Sequence, residues 1–342
     1  MGTGPFVFER WQRGSHVLLK RNPAYWAAGR PLLDQVVFKF VPDRAAATAE
    51  LESGGVDVAA LQPSDVDRIA KIPRLQVELR DDGYLNGMQT LEFNLDQPPL
   101  ADLRVRQAIA HAVDKEFIRK AIFAGRAEVV DSPVPKVLAA YYAPARQTYR
   151  FDPAEAERLL DAAGWPRKGG ARGERFALVI THYPTNTGAR NTAGYVRAAL
   201  ARVGIRATVQ DADLPLFVRR VYAERQFGIN INAVGMLYDP TVGVQRHYVW
   251  ARPADKGVAM INAAGYTNPE AVDLFRRIAE EADDGRRAAL LHRLQDLLAE
   301  EIPLLPLVSG GGAVAWSRRV HGYYNSIDLS AGDLSGAWVE RR

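Results

Sequence analysis

The sequence predicts an α/β fold, and three observations carry that prediction. Phe176 to Thr181 reads as a strand, Ala189 to Val203 as a helix stopped by Gly204, and Ile205 to Val209 as a second strand. A strand–helix–strand run of this spacing is a crossover and implies parallel pairing. Strand and helix also alternate between Gln35 and Asp65. Finally, 342 residues suit two domains better than one, with ample core for each.

Taken in order, Gln35 to Val41 alternates as a strand, Asp43 to Ser53 is an alanine-rich helix closed by Gly54-Gly55, and Val56 to Leu61 is a short strand. Ser64 or Asp65 opens a further helix. Asp102 is a good N-cap for a helix in which Val105, Ala108, Ile109, Ala112, Val113, Phe117 and Ala121 recur every three or four residues up to Gly125. Asp152-Pro153-Ala154-Glu155 starts another helix with cap, first-position proline and a glutamate three after the cap, and Gly164 ends it. Pro166 to Gly173 is a surface loop. After the crossover come a helix over Leu214 to Glu224 and a strand over Phe227 to Val234. Asn268-Pro269 opens a helix, and Arg286 to Glu301 carries leucines at helical spacing until Pro303 stops it.

Composition narrows the function classes. A net charge of +4 is spread along the chain, whereas nucleic-acid binding needs basic residues clustered on one face. With no cysteine, disulfides, thiolate zinc sites, iron–sulfur clusters and cysteine nucleophiles are excluded. No apolar run approaches the ~18 residues that span a bilayer. Met1 to Phe6 has neither the charged nor the apolar region of a secretion signal.

Enzyme motifs are missing as well. Ser53, Ser309 and Ser335 lack the upstream glycine of a nucleophile elbow, and no Walker loop is present. The six histidines show no metal-binding pair at helical spacing. Asp57 lies at a turn before a strand, where an aspartate is usually structural. Glu280, Glu281, Asp283 and Asp284 read as a solvated helix end.

Gly2-Thr3-Gly4-Pro5-Phe6, Arg21 to Trp26, Leu51 to Asp57, Pro99 to Lys115, Phe151-Asp152-Pro153 through Trp165, and Glu301 to Leu307 with Trp316 form an ordered set of segments. In this order they resemble the family-5 extracytoplasmic solute-binding proteins that serve ABC importers. Each piece alone is weak; the ordered set is specific. The resemblance implies a two-lobed fold of the periplasmic-binding-protein type II, here without the N-terminal portion of full-length relatives. Residues 1–85 would be part of lobe I, 86–95 a hinge crossing, 96–303 lobe II, and 304–342 the return to lobe I. A further implication is that one cleft wall is incomplete, so weak or absent solute binding by these residues is expected.

Two loops are candidate contacts. His182 to Gly188 lies between a strand's carboxyl end and a helix start, a place where α/β sheets bind ligands and where N–H groups suit an anion. It contributes Tyr183, Thr185 and Asn186. The second, Gly235 to Pro240, contributes Gly235, Met236, Tyr238 and Asp239, and Tyr248 and Trp250 are aromatic candidates beyond it. In peptide-binding relatives an aspartate three positions before the Asp-Pro pair holds the peptide's amine; here that position is Met236. Dipeptide-binding relatives also place an arginine in the first loop, where this chain has none before Arg190. The expected ligand is therefore less zwitterionic, larger, or held by aromatics.

The reading is a non-enzymatic, monomeric receptor outside the cytoplasm, without cofactor or metal. Its expected partners are a peptide or small organic solute and a membrane permease, with no nucleic acid. The alternative is an α/β hydrolase or transferase with a site assembled from scattered Asp, His and Tyr.

Overall fold

The computed structural model describes residues 2–80, 87–170, 172–323 and 332–340. In chain order the elements are β1 (Phe6–Gln12), β2 (His16–Arg21), β3 (Gln35–Lys39), α1 (Arg44–Ser53), β4 (Val58–Leu61), α2 (Val66–Ile69) and β5 (Leu75–Arg80). Next come β6 (Gly87–Phe93), α3 (Leu103–Ala112), β7 (Ala127–Val129), α4 (Pro153–Ala162), β8 (Phe176–His182), α5 (Thr187–Arg202) and β9 (Ile205–Gln210). They are followed by α6 (Leu214–Val218), β10 (Ile229–Gly235), α7 (Pro269–Glu280), α8 (Asp284–Glu301) and β11 (Leu304–Gly310). The chain finishes with β12 (Gly312–Ser317), β13 (Val320–His321) and β14 (Trp338–Val339).

Two compact units result, one of Met1–Tyr84 with Gly311–Arg342, the other of Leu85–Gly310. The expected return at residue 304 is corrected to 311. Leu304–Gly310 hydrogen-bonds to β6 and β7 inside the second unit's sheet, so it cannot be separated from that core. Gly87–Phe93 is likewise a full strand of that sheet rather than a free connector, and Asn86 lies outside the described residues.

In the first unit, α1 and α2 pack on the sheet β4-β12-β5 through Leu51, Leu61, Val66, Ile69, Leu75 and Ala315. The hairpin β1–β2 and β3 form a separate sheet. Its register puts Phe8, Leu19 and Val36 in one cross-strand row and Trp11, Val17 and Phe38 in another on the same face. Phe8, Trp11 and Phe38 are each more than half exposed there.

The second unit is built on a six-stranded sheet of order β7-β11-β6-β10-β8-β9. The predicted crossover is present: β8 and β9 pair in parallel, joined by α5. Helices cover both faces, so the central strands are buried on both sides, and β6 and β10 carry buried polar residues (Gln89, Thr90, Glu92, Asn230 and Asn232) among their apolar ones. On one side α3, α4 and α5 press Val105, Ile109, Leu160, Val196 and Leu200 against Leu91, Phe93, Ile180, Ile229 and Ile231. On the other, α7 and α8 bring Leu274, Phe275, Leu291 and Leu294 to Met88, Val234 and Leu304. No helix among the described residues is long and apolar enough to cross a membrane.

Local capping chemistry places the helix starts. Asp43, Asp102, Asp152, Asn186, Asp213, Asn268 and Asp283 each accept a backbone N–H of their own helix. One expectation fails: the apolar run from Asp102 to Gly125 is not a single helix. Val113 is extended (φ −99°, ψ 115°), and Asp114 caps a second short helix through the Phe117 N–H. An aspartate inside a helical pattern has offered the backbone a competing partner. The helix expected over Leu214 to Glu224 also changes form, passing at Arg219 into a wider π-type turn.

Arg175 ties α4 to the crossover. Almost fully buried, it donates to the carbonyls of Val203 (2.9 Å) and Trp165 (2.5 Å) and to the carboxylates of Asp161 (2.5 Å) and Glu157 (3.2 Å). Gly204 beside it has φ +82°, and a Cβ there would sit 3.2 Å from Arg175 Cγ. Arg175→Met should destabilise the unit by about 2 kcal/mol, the cost of stranding two buried carbonyls; a urea midpoint within error of the wild type would contradict this.

Candidate functional site

The parallel strands β8 and β10 end at His182 and Gly235, at one edge of the six-stranded sheet. β6 runs antiparallel to β10, with Gly87 opposite Gly235, and β11 runs antiparallel to β6, so the second unit's first described residue and its last strand end, Gly310, lie at that same edge. Carboxyl ends of parallel strands are where open α/β sheets present ligand loops.

The loop after β8 is rigidly built. Tyr183 donates its N–H to the Ile231 carbonyl (2.9 Å) and sets its ring edge-on to Phe217. Thr185 is exposed. The Asn186 side chain is already committed, accepting the Ala189 N–H at 2.8 Å as the N-cap of α5. Behind it, Gly188 is closely packed, since a Cβ would meet Asn186 Oδ1 at 3.1 Å and Phe123 at 3.2 Å. Asp211, just past β9, receives Arg190 (2.8 Å) and His182 Nε2 (2.8 Å). These two hydrogen bonds, Arg190's first, hold its carboxyl below the usual carboxylate range.

The loop after β10 turns back sharply. Leu237 is left-handed (φ 56°), and Gly243 passes so close to the Met236 carbonyl that a Cβ would lie 1.7 Å from it. Met236 is fully buried among Val234, Val244 and Tyr248. Its side chain is therefore core, which corrects its placement as a contact: the turn directs it inward. Asp239 is also occupied, by Arg287 of α8 (2.7 Å) and by the N–H and hydroxyl of Thr241. Burial raises its pKa, but Arg287 and Thr241 outweigh this and hold it below the ordinary value. Tyr248 is buried as well, and burial pushes its hydroxyl pKa far up. Tyr238 stands 40% exposed. Trp250 lies half-buried with Lys256 Nζ 5.6 Å from its ring centroid, and its buried Nε1–H has no hydrogen-bond partner among the described residues.

Sequence reasoning missed three features. Arg246 reaches back to donate to the Gly235 carbonyl (3.0 Å) and to His247 Nε2 (3.3 Å). His247 is buried; desolvation, then the Arg246 charge, depress its pKa to about 3 despite its hydrogen bond to Gly235. On the sheet face turned away from Ile229 and Ile231, buried Glu92 accepts Asn230 Nδ2 (2.6 Å) and Asn232 Nδ2 (3.2 Å). No cation pairs with it among the described residues, and burial raises its pKa to about 7 against the lowering by both amides. Asn230 and Asn232, two residues apart in an apolar strand, were a legible signal, because that spacing puts both on one face. The described residues contain no group of three or more His, Asp or Glu able to hold a metal ion.

The sequence profile of the bacterial extracellular solute-binding proteins, family 5 Middle, matches residues 1–256. The chain belongs to this family. A Brucella ovis relative is 32% identical over 230 residues, 66% of this chain and 41% of its own length. The glutathione-binding protein GsiB of Shigella flexneri is 25% identical over 329 residues, 95% of this chain and 62% of its own. The oligopeptide-binding protein AppA from Bacillus subtilis, solved with a nonapeptide, superposes with a TM-score of 0.86 at 21% identity over 99% of this chain and 66% of that one. The fold of this family-5 chain is thus the type II periplasmic-binding-protein fold, and the chain spans about two fifths to two thirds of the length of these relatives. They are binding proteins, which gives the hydrolase or transferase alternative no support.

Proposed function

We propose that the chain forms part of the solute receptor of an ABC uptake system, outside the cytoplasm, that captures a peptide or other small organic solute and passes it unchanged to a membrane permease. The observation that carries this reading is the shared sheet edge: the ligand-side loops after β8 and β10 lie where β6 begins and β11 ends. On this reading solute shifts the receptor's population toward the conformation that binds it better, which is the state handed to the permease. The receptor acts as a monomer without catalysis.

Tyr183, Thr185, Tyr238 and Trp250 are proposed as contacts, with Gly235 offering backbone. Asn186, Met236 and Asp239 belong to the site as supports, because their side chains are spent on cap, core and ion pair. With no carboxylate at position 236, a free dipeptide amine would be left without its partner, a penalty of several kcal/mol if buried. Saturation-transfer NMR at millimolar concentration, with dipeptides, longer peptides, glutathione and N-acylated amino acids, tests the reading. Binding of at least one class, recovered chemically intact, is expected, with free dipeptides not preferred. Turnover of a bound solute, or submicromolar affinity for free dipeptides, would overturn it.

A further inference from the structure

Charge at the sheet edge is unevenly settled. Asp211 is neutralised by Arg190 and bonded to His182, and Asp239 is neutralised by Arg287. Arg246 has no such partner: no carboxylate among the described residues pairs with its guanidinium. It is half-buried, yet only two of its five N–H donors are used, on the Gly235 carbonyl and on His247 Nε2. These two contacts hold the group at the end of β10 and leave its remaining N–H groups unspent. A partly desolvated cation without a counter-charge is unfavourable, and a planar fork of N–H groups matches an oxyanion in two-point geometry.

We propose that Arg246 is the residue that recognises an anionic group, a carboxylate in the first instance, on the captured solute. This rests on the receptor reading and makes it narrower. The solute class is an organic acid or an acylated or longer peptide that presents a carboxylate to β10 and needs no free ammonium group. Both carboxylates of this edge are already committed to arginines, so an ammonium would find no acceptor of opposite charge among the groups described here. The buried Trp250 Nε1–H, without a partner among the described residues, is a further donor near the same loop in sequence.

The test uses three small probes with one side chain and different charge: N-acetyl-leucine (anionic), leucinamide (cationic) and N-acetyl-leucinamide (neutral). Each is titrated into the 15N-labelled chain while the Arg246 Nε–H signal, assigned by its loss in Arg246→Gln, is followed. The acid alone should shift that signal, Arg246→Gln should weaken its binding at least tenfold, and Arg246→Lys, which keeps charge but not the fork, should fall between. Leucinamide binding as well as the acid, or unchanged acid binding by a folded Arg246→Gln protein, would overturn the assignment and leave the receptor reading standing. A panel that moves no signal anywhere in the chain would overturn the Arg246 assignment and leave the receptor reading to the wider solute panel above.

Discussion

Relative to the wild type, His247→Gln should gain stability as pH falls from 6.5 to 4.5, by about 1.4 kcal/mol per pH unit. The reason is a pair of opposed buried groups. The pKa of His247 is lowered to about 3 in the folded chain. Below its ordinary 6.5 the unfolded chain takes up a proton that the folded one refuses. Stability from this group is therefore full above pH 6.5 and drains away toward pH 3. Glu92 does the reverse. Its pKa rises to about 7, so the folded chain keeps a proton that the unfolded chain has already lost above pH 4.5. Its contribution is full below pH 4.5 and falls away as pH climbs to 7. Between 4.5 and 6.5 each group accounts for one proton of opposite sign, and the slopes cancel.

Glu92→Gln removes the other half of that balance. Across the same two pH units it should lose about 3 kcal/mol on acidification, whereas His247→Gln gains about as much. Urea unfolding at pH 4.5, 5.5 and 6.5 separates the two cases, because each variant serves as the other's control. Parallel curves for wild type and both variants would show that neither residue has the folded-state protonation its surroundings demand. Glu281, whose pKa is lowered to about 2 chiefly by Arg286, titrates below this window and does not disturb the comparison.

Much of the second unit was legible because its signals are local. Asp152 and Asn268 mark helix starts through one side-chain contact a few residues away, and Gly164 and Gly204 mark ends through positive φ. The crossover was legible for the same reason, its strands lying only one helix apart. The candidate loops were found because they follow strands. What their side chains do was not: Asn186 turned into a cap, Met236 into core, and Asp239 into the partner of Arg287, which is 48 residues away. Glu92 is an ordinary glutamate in sequence, and it needs two asparagines about 140 residues on to become a group that titrates near neutrality.

The sequence by itself determined the α/β character, most helix starts and the family, since all of these rest on short-range periodicity, capping and an ordered set of segments. Only the tertiary structure decided that β6 and β11 sit side by side in the middle of one sheet, that the second unit ends at Gly310, and that Arg246 has no carboxylate partner among the described residues. The physical reason is one of range. Helix caps and turns are satisfied within a few residues, whereas strand partners and counter-charges are chosen by whichever distant segment the packed core brings alongside.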